Sequence, residues 1–310
     1  AAVAAATDDD TITLLDNVDL TEPLIVKNKT ITLDLNGKTI SNSTDIWNES
    51  TYSWSLISVR DNGDLTINDT VGGGTLKAKE NDCYALDVYA YRLMNVENTK
   101  LTINAGNYVG NISAVYAFTG KVTINGGHFS IQLKENGSDP YRFTLNCYDG
   151  SYKAGNAKIE VTGGTFYGFD PSASPEGEGT TYVANGYVST KNGTEDSYTV
   201  EEYKPVEVWT GYTGNKVASY ATLAEAVESL GTNKWIVIGK DYTLTENFTL
   251  GEGVYLDIAK GATLTVAENV TLTVAANAKR LGVREGAALV NNGTIVVCGS
   301  SNTNGFAMLY

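Results

Sequence analysis

The stretch KVTINGGHFSI, residues 121–131, reads as a strand, a glycine corner and a second short strand. The chain repeats the phrase as KLTINAGNYVG (100–110), KIEVTGGTFYG (158–168) and DLTINDTVGGGTL (64–76), and TLDLNGKTI (32–40) is an early version. Aligned on the phrase, Leu65/Ile67, Leu101/Ile103, Val122/Ile124 and Ile159/Val161 share one side. Asp34, Thr66, Thr102, Thr123 and Glu160 fall on the other, the period-two alternation of a strand. Glycine at the corner tolerates a positive φ, so the chain can turn sharply there. One large apolar residue follows each corner and is expected to point inward: Leu76, Tyr108, Phe129 and Phe166.

Upstream of each phrase lies another apolar strand: SLISV (55–59), YALDV (84–88), AVYAF (114–118) and RFTLN (142–146). The unit therefore has three strands. Its central strands begin at Leu65, Leu101, Val122 and Ile159, which are 36, 21 and 37 residues apart. The shortest spacing fits one lean coil of a three-faced solenoid, and the longer ones fit the same coil with an inserted loop. A lone coil can neither pair its backbone groups nor bury its apolar side, whereas stacked coils do both. The sequence thus predicts an all-β chain folded as a right-handed parallel β-helix with three strands per rung. Asn68, Asn104 and Asn125 recur at one corner position and are expected to form a structural ladder of amide hydrogen bonds.

The pattern restarts in the second half. SYATLAEAVESLG (219–231) places Leu223, Ala226, Val227 and Leu230 on one helical face, and Gly231 stops it. Strands are expected at ATLTV (262–266), VTLTV (270–274), RLGV (280–283), AALV (287–290) and GTIVV (293–297). The start of the chain has the same order of elements, so residues 1–6 read as the end of a helix whose beginning is missing. Two modules result: residues 1–203, with a truncated cap helix, and residues 219–310, with a cap helix over 219–230. Residues 204–218, where Pro205 and several glycines interrupt the pattern, read as a linker.

The 310 residues carry 36 Asp and Glu against 22 Lys and Arg, a net charge of −14. Nucleic-acid partners, which need a basic face, are therefore not expected. No run of about 20 apolar residues exists, so membrane insertion is not expected either. Cys83, Cys147 and Cys298 form no CxxC pair and are read as buried free thiols. The abundant Thr, Asn, Gly and Tyr are typical of exported β-rich surfaces.

A short amphipathic helix, then TITLLDNVDL, then ITLDLNGKTIS, then the LTINGG-type phrases together resemble the pectate-lyase-like right-handed β-helix superfamily. More narrowly, they are similar to repetitive, adhesin-like surface proteins of gut bacteria. The resemblance covers roughly residues 1–200 well and 217–300 more loosely. It implies architecture more than activity, because the superfamily includes polysaccharide lyases, glycosidases, phage tailspikes and adhesins. It also implies a bacterial protein that is secreted or displayed at the cell surface.

A pectin lyase of this fold would be expected to carry an acidic calcium cluster and a basic residue on the phrase strands, which here present threonines. Asp61 with Asp64, or Asp34 with Asp87, are the best candidates for a carboxylate pair. His128 is the only histidine and is expected to face solvent. The Asp8, Asp9, Asp10 run allows loose calcium contact, but no cofactor or metal is expected.

The loops carry more information. Residues 41–55 hold Trp47, Tyr52 and Trp54, residues 88–98 hold Tyr89 and Tyr91, and later loops add Tyr141, Tyr148 and Tyr152. Binding residues concentrate in such loops, and flat aromatics beside polar groups suit sugar rings. The candidate glycan site is Trp47, Tyr52, Trp54, Tyr89 and Tyr91, with Asp45, Asn48 and Asn95 as polar partners. The reading is a non-catalytic, exported, adhesin-like protein whose partners are host or bacterial glycans or surface proteins. The alternatives are a β-helix polysaccharide lyase or glycoside hydrolase, and a phage tail-fibre or tailspike segment.

Overall fold

A computed structural model describes residues 1–47, 54–79, 83–90, 96–133 and 142–298. Strand makes up 47% of it and helix 7%. It divides into two compact units, Ala1–Glu202 and Tyr203–Tyr310.

In the first unit the chain visits three parallel sheets in turn. Sheet A stacks Asp10–Thr13, Thr30–Asp34, Asp64–Asn68, Lys100–Ile103, the second half of Ser113–Ile124, and Ala157–Val161. Sheet B stacks Val18–Asp19, Thr39–Ser41, Thr75–Lys77, Asn107–Gly110, His128–Ile131 and Gly164–Tyr167. Sheet C stacks Leu24–Lys27, Ser55–Arg60, Tyr84–Tyr89, the first half of Ser113–Ile124, and Leu145–Cys147.

The repeated phrases pair in the expected register. Leu101 lies opposite both Leu65 and Val122, and Val122 lies opposite Ile159. These residues and their partners two positions on are all buried. The post-corner residues Leu76, Tyr108, Phe129 and Phe166 are also fully buried. The three aromatic rings among them form a stack inside the unit, with Tyr108–Phe129 and Phe129–Phe166 centroids each 5.0 Å apart. The corner glycines Gly106, Gly127 and Gly164 have φ of 107°, 108° and 110°, which a side chain would strain.

The asparagine ladder runs along the corner. Asn104 Nδ2 donates to Asn68 Oδ1 at 2.8 Å, Asn125 Nδ2 donates to Asn104 Oδ1 at 2.9 Å, and Thr162 Oγ1 ends the row by donating to Asn125 Oδ1. The earliest copy is shifted by two residues from the sequence alignment. Thr32 lies opposite Thr66, so Asp34 leaves the threonine row and stands opposite Asn68 at the head of the ladder. Burial raises the Asp34 pKa, but the Thr70 hydroxyl and the Thr70 and Asn36 amides donate to it and hold it below its usual value.

The far end of the stack is covered by antiparallel pairing. Ser197–Glu202 runs antiparallel to Gly164–Tyr167, and Tyr187–Lys191 runs antiparallel to Ser197–Glu202. At the near end sits the helix Ala2–Ala5, where Lys29 Nζ donates to the carbonyls of Val3 and Ala6. Covered ends leave fewer unpaired edge groups open to other chains.

The second unit repeats the three-sheet order on a smaller scale. Its first sheet holds Trp235–Ile238, Tyr255–Ile258 and Arg280–Val283, all parallel. The others pair Tyr242–Leu244, Thr263–Val266 and Ala288–Asn291, and Phe248–Leu250, Thr271–Val274 and Thr294–Val297. Residues 204–218, read from sequence as a linker, hold most of a hairpin instead. Val206–Trp209 pairs antiparallel with both Lys216–Tyr220 and Trp235–Ile238. The reason is burial: Val206 and Val208 are core residues of this unit. The helix is also shorter than 219–230, because Ser219 and Tyr220 belong to the hairpin. It spans Leu223–Glu228 and opens on a capping box between Thr222 and Glu225. Leu223 and Ala226 are buried, as the periodicity requires.

Cys83 and Cys147 are buried free thiols, but Cys298 is exposed, unlike its sequence reading.

Candidate functional site

The outward face of sheet A is a plain row. Thr11, Thr32, Thr66, Thr102, Thr123 and Glu160 lie opposite one another in successive strands. Sheet C differs. Its strands Ser55–Arg60, Tyr84–Tyr89 and Ser113–Ile124 place Ser58, Asp87 and Tyr116 in one cross-strand row. Around that row the side chains become aromatic. Tyr84 stacks on Tyr116 at 4.6 Å, Tyr89 meets Phe118 edge-on at 5.0 Å, and Phe118 stacks on Tyr148 at 4.7 Å.

These groups enclose a pocket of about 340 Å³ lined by Trp54, Tyr84, Asp87, Tyr89, Tyr116 and Phe118. All five rings are half-buried, so each offers part of a face to a ligand. Asp87 is only 4% exposed. Burial pushes its carboxyl above the usual carboxylate range, while the Ser55 and Ser58 hydroxyls and the Arg60 guanidinium pull the other way. Ser55 lies close, yet neither its Oγ nor Asp87 Oδ1 completes a hydrogen bond of good geometry. Arg60 Nε donates to Ser58 Oγ at 2.8 Å, and its guanidinium is 5.9 Å from the Tyr89 ring. Burial, together with the neighbouring Tyr84, Cys147, Glu176 and Tyr148, pushes the Tyr116 hydroxyl up, so it stays protonated.

Two further pockets lack this combination. One, of about 350 Å³, lies beside the first helix and is lined by residues such as Val3, Pro23 and Lys29. A larger one, of about 440 Å³, is lined by residues including Arg142, Phe143, Tyr167 and Asp196. Neither contains a buried carboxyl without a hydrogen-bond partner.

The sequence-predicted residues divide. Trp54 and Tyr89, at the ends of the two aromatic loops, line the same pocket on sheet C. Trp47 is elsewhere: it is half-buried and packs against the core of the unit. Asp45 is exposed. Tyr52, Tyr91, Asn48 and Asn95 lie outside the described residues, as does Tyr141. Tyr148 extends the aromatic row, whereas Tyr152 packs against the core.

The proposed carboxylate pairs do not form a site. Asp34 is in sheet A and Asp87 in sheet C, and Asp61 is bound to Lys27 at 2.8 Å. His128 is exposed, with the Tyr167 ring 6.4 Å away. The Asp8–Asp10 run is used in turns: Asp8 accepts from the Thr30 amide, and Asp10 from the amide and hydroxyl of Thr7. Among the described residues there is no group of three or more His, Cys, Asp or Glu side chains that could hold a metal ion. Burial first, then the nearby Glu176, pushes the Cys147 thiol up to about 12, which leaves it no thiolate character at neutral pH.

Tyr84, Tyr116 and Phe118 were missed as site residues because they sit inside strands that read as apolar core, and Asp87 is read from sequence only as one of a carboxylate pair with Asp34. The available signal was Asp87 itself, an acid within the apolar run YALDV.

No family model matches the chain, and no curated protein or solved structure matches it.

Proposed function

We propose that this chain is a right-handed parallel β-helix with three strands per rung, in two modules, and that it is a non-catalytic, adhesin-like protein of a bacterial surface. The cyclic order of the three sheets supports the architecture, because parallel crossovers are overwhelmingly right-handed. The pocket on sheet C supports a binding role, and its ligand in this reading is a glycan. Sugar rings combine apolar C–H faces with hydroxyl groups, and the pocket combines five aromatic rings with one buried carboxyl. That juxtaposition carries the proposal.

A hydrolytic reading has one point in its favour, the raised pKa of Asp87, which suits a general acid. Among the described residues that line the pocket Asp87 is the only acid, so the second carboxylate that most glycosidases place about 5–10 Å away is not found among them. Binding is therefore the better reading. A glycan array tests it, with the wild type and Trp54→Ala/Tyr116→Ala compared at matched thermal stability. Array signals lost in the variant support a glycan site on sheet C. Signals equal in both, or absent from both, count against it.

A further inference from the structure

Among the described residues that line the pocket, Asp87 carries the one carboxyl, beside the hydroxyls of Tyr84, Tyr89 and Tyr116. Asp87 lines the pocket, is almost wholly buried, and leaves Oδ1 without a hydrogen-bond partner. Buried polar atoms in folded proteins are nearly always satisfied; the Ser55 and Ser58 hydroxyls are the protein's own nearest donors to this carboxyl, and a ligand hydroxyl would add another. A sugar hydroxyl donates. A carboxylate or sulfate does not, and burying its charge among aromatic rings is costly. The net charge of −14 adds repulsion of polyanions at short range, within a Debye length of about 8 Å.

Resting on the glycan reading above, we infer that the sheet C pocket takes an uncharged sugar residue, held by a hydroxyl donating to the Asp87 carboxyl and by ring stacking, and rejects uronic acids and sulfated sugars. Asp87 is then the specificity-determining residue and the aromatic rings supply sequence-tolerant contact.

Affinity electrophoresis tests this with the full chain. Native gels would contain xyloglucan, galactomannan or mixed-linkage β-glucan as neutral probes, and polygalacturonate or chondroitin sulfate as acidic ones. The expected result is retardation by at least one neutral polysaccharide and none by the acidic pair. Asp87→Ala should weaken that retardation roughly tenfold, as loss of a hydrogen bond to a charged group does. Asp87→Asn keeps an acceptor oxygen and should retain most of it. Phe118→Ala should weaken it without regard to ligand charge, and a thermal melt of each variant shows that it is folded. Retardation by acidic polysaccharides equal to or stronger than by neutral ones overturns the inference and leaves the glycan reading standing. Unaltered binding in Asp87→Ala also overturns it. Retardation by no polysaccharide removes the glycan reading, and the inference with it.

Discussion

Two buried aspartates, one in each unit, sit beside stacked aromatic rings and have opposite surroundings. Asp257, on Tyr255–Ile258, is fully buried next to the Trp235–Tyr255 stack, whose centroids are 4.0 Å apart. Arg280 Nε lies 2.7 Å from its Oδ1, an ion pair by distance although the N–H is poorly aligned for a hydrogen bond. Arg284 approaches Oδ2 at 3.3 Å, and the Trp235 indole donates to Oδ2 at 3.0 Å. Tyr212 covers both guanidinium groups at 5.2 and 4.9 Å. Asp87 has a similar aromatic setting but no ion pair among the described residues, and it opens onto a pocket. The difference teaches that a buried acid beside aromatics is not by itself a site. Asp257 is paired with two arginines, whereas Asp87 lines a pocket and has no ion pair among the described residues.

The largest expected effect breaks the compensated case. Asp257→Ala leaves two arginines facing each other without their counter-ion and should destabilise the second unit by about 3–5 kcal/mol. Urea denaturation followed by Trp235 fluorescence measures this. Asp87→Ala, by contrast, should leave the first unit as stable or more so. Equal losses would mean that Asp87 is compensated as well.

Gly282 tests how tightly the Asp257 pair is built. A Cβ there would lie 2.2 Å from Asp257 Oδ1 and 2.4 Å from Arg280 Nε. Gly282→Ala should displace the pair and cost about 1–3 kcal/mol in the same assay. The ladder supplies a calibration within the first unit. Asn104→Ala removes two exposed amide hydrogen bonds and should cost about 0.5–1.5 kcal/mol in thermal denaturation.

The smallest effect concerns pH. The folded-state pKa of Asp87 is raised, so the folded protein holds that proton more tightly than the unfolded chain. Its contribution favours folding at acid pH and declines as pH rises from the unfolded carboxylate pKa through the folded one. Asp87→Asn removes this term. The variant should therefore match the wild type near pH 3 and become the more stable of the two by pH 7. Taking the difference between the two proteins cancels the opposite trend from Asp10 and Asp34, whose pKa values are lowered. A difference that is flat from pH 3 to 7 would show that Asp87 is ionised as readily folded as unfolded.

How much of this was legible depends on the kind of signal. Inward rows were readable because period-two alternation repeats in every phrase, down to the stacked Tyr108, Phe129 and Phe166. The ladder was readable because an amide at a fixed corner can bond only to its neighbours above and below. Asp34 hid the register of the first copy, since an acid, bonded to Thr70 and Asn36, stands there opposite Asn68. Pro205 hid the hairpin by looking like a break, although VEVW alternates as a strand should. The pocket was half legible. Trp54 and Tyr89 stood out at loop ends, but Tyr84, Tyr116 and Phe118 lie in strands buried on both faces. Such runs carry no alternation to mark which side chains point out.

Hydrogen–deuterium exchange with a saturating oligosaccharide, cut from the polysaccharide that retards the protein most, tests the contrast between the two aspartates most directly. Protection should appear in Tyr84–Tyr89 and the first half of Ser113–Ile124, around Asp87, and be absent from Tyr255–Ile258 and Arg280–Val283, around Asp257. Protection around Asp257, or none around Asp87, would contradict the assignment of sheet C as the binding face.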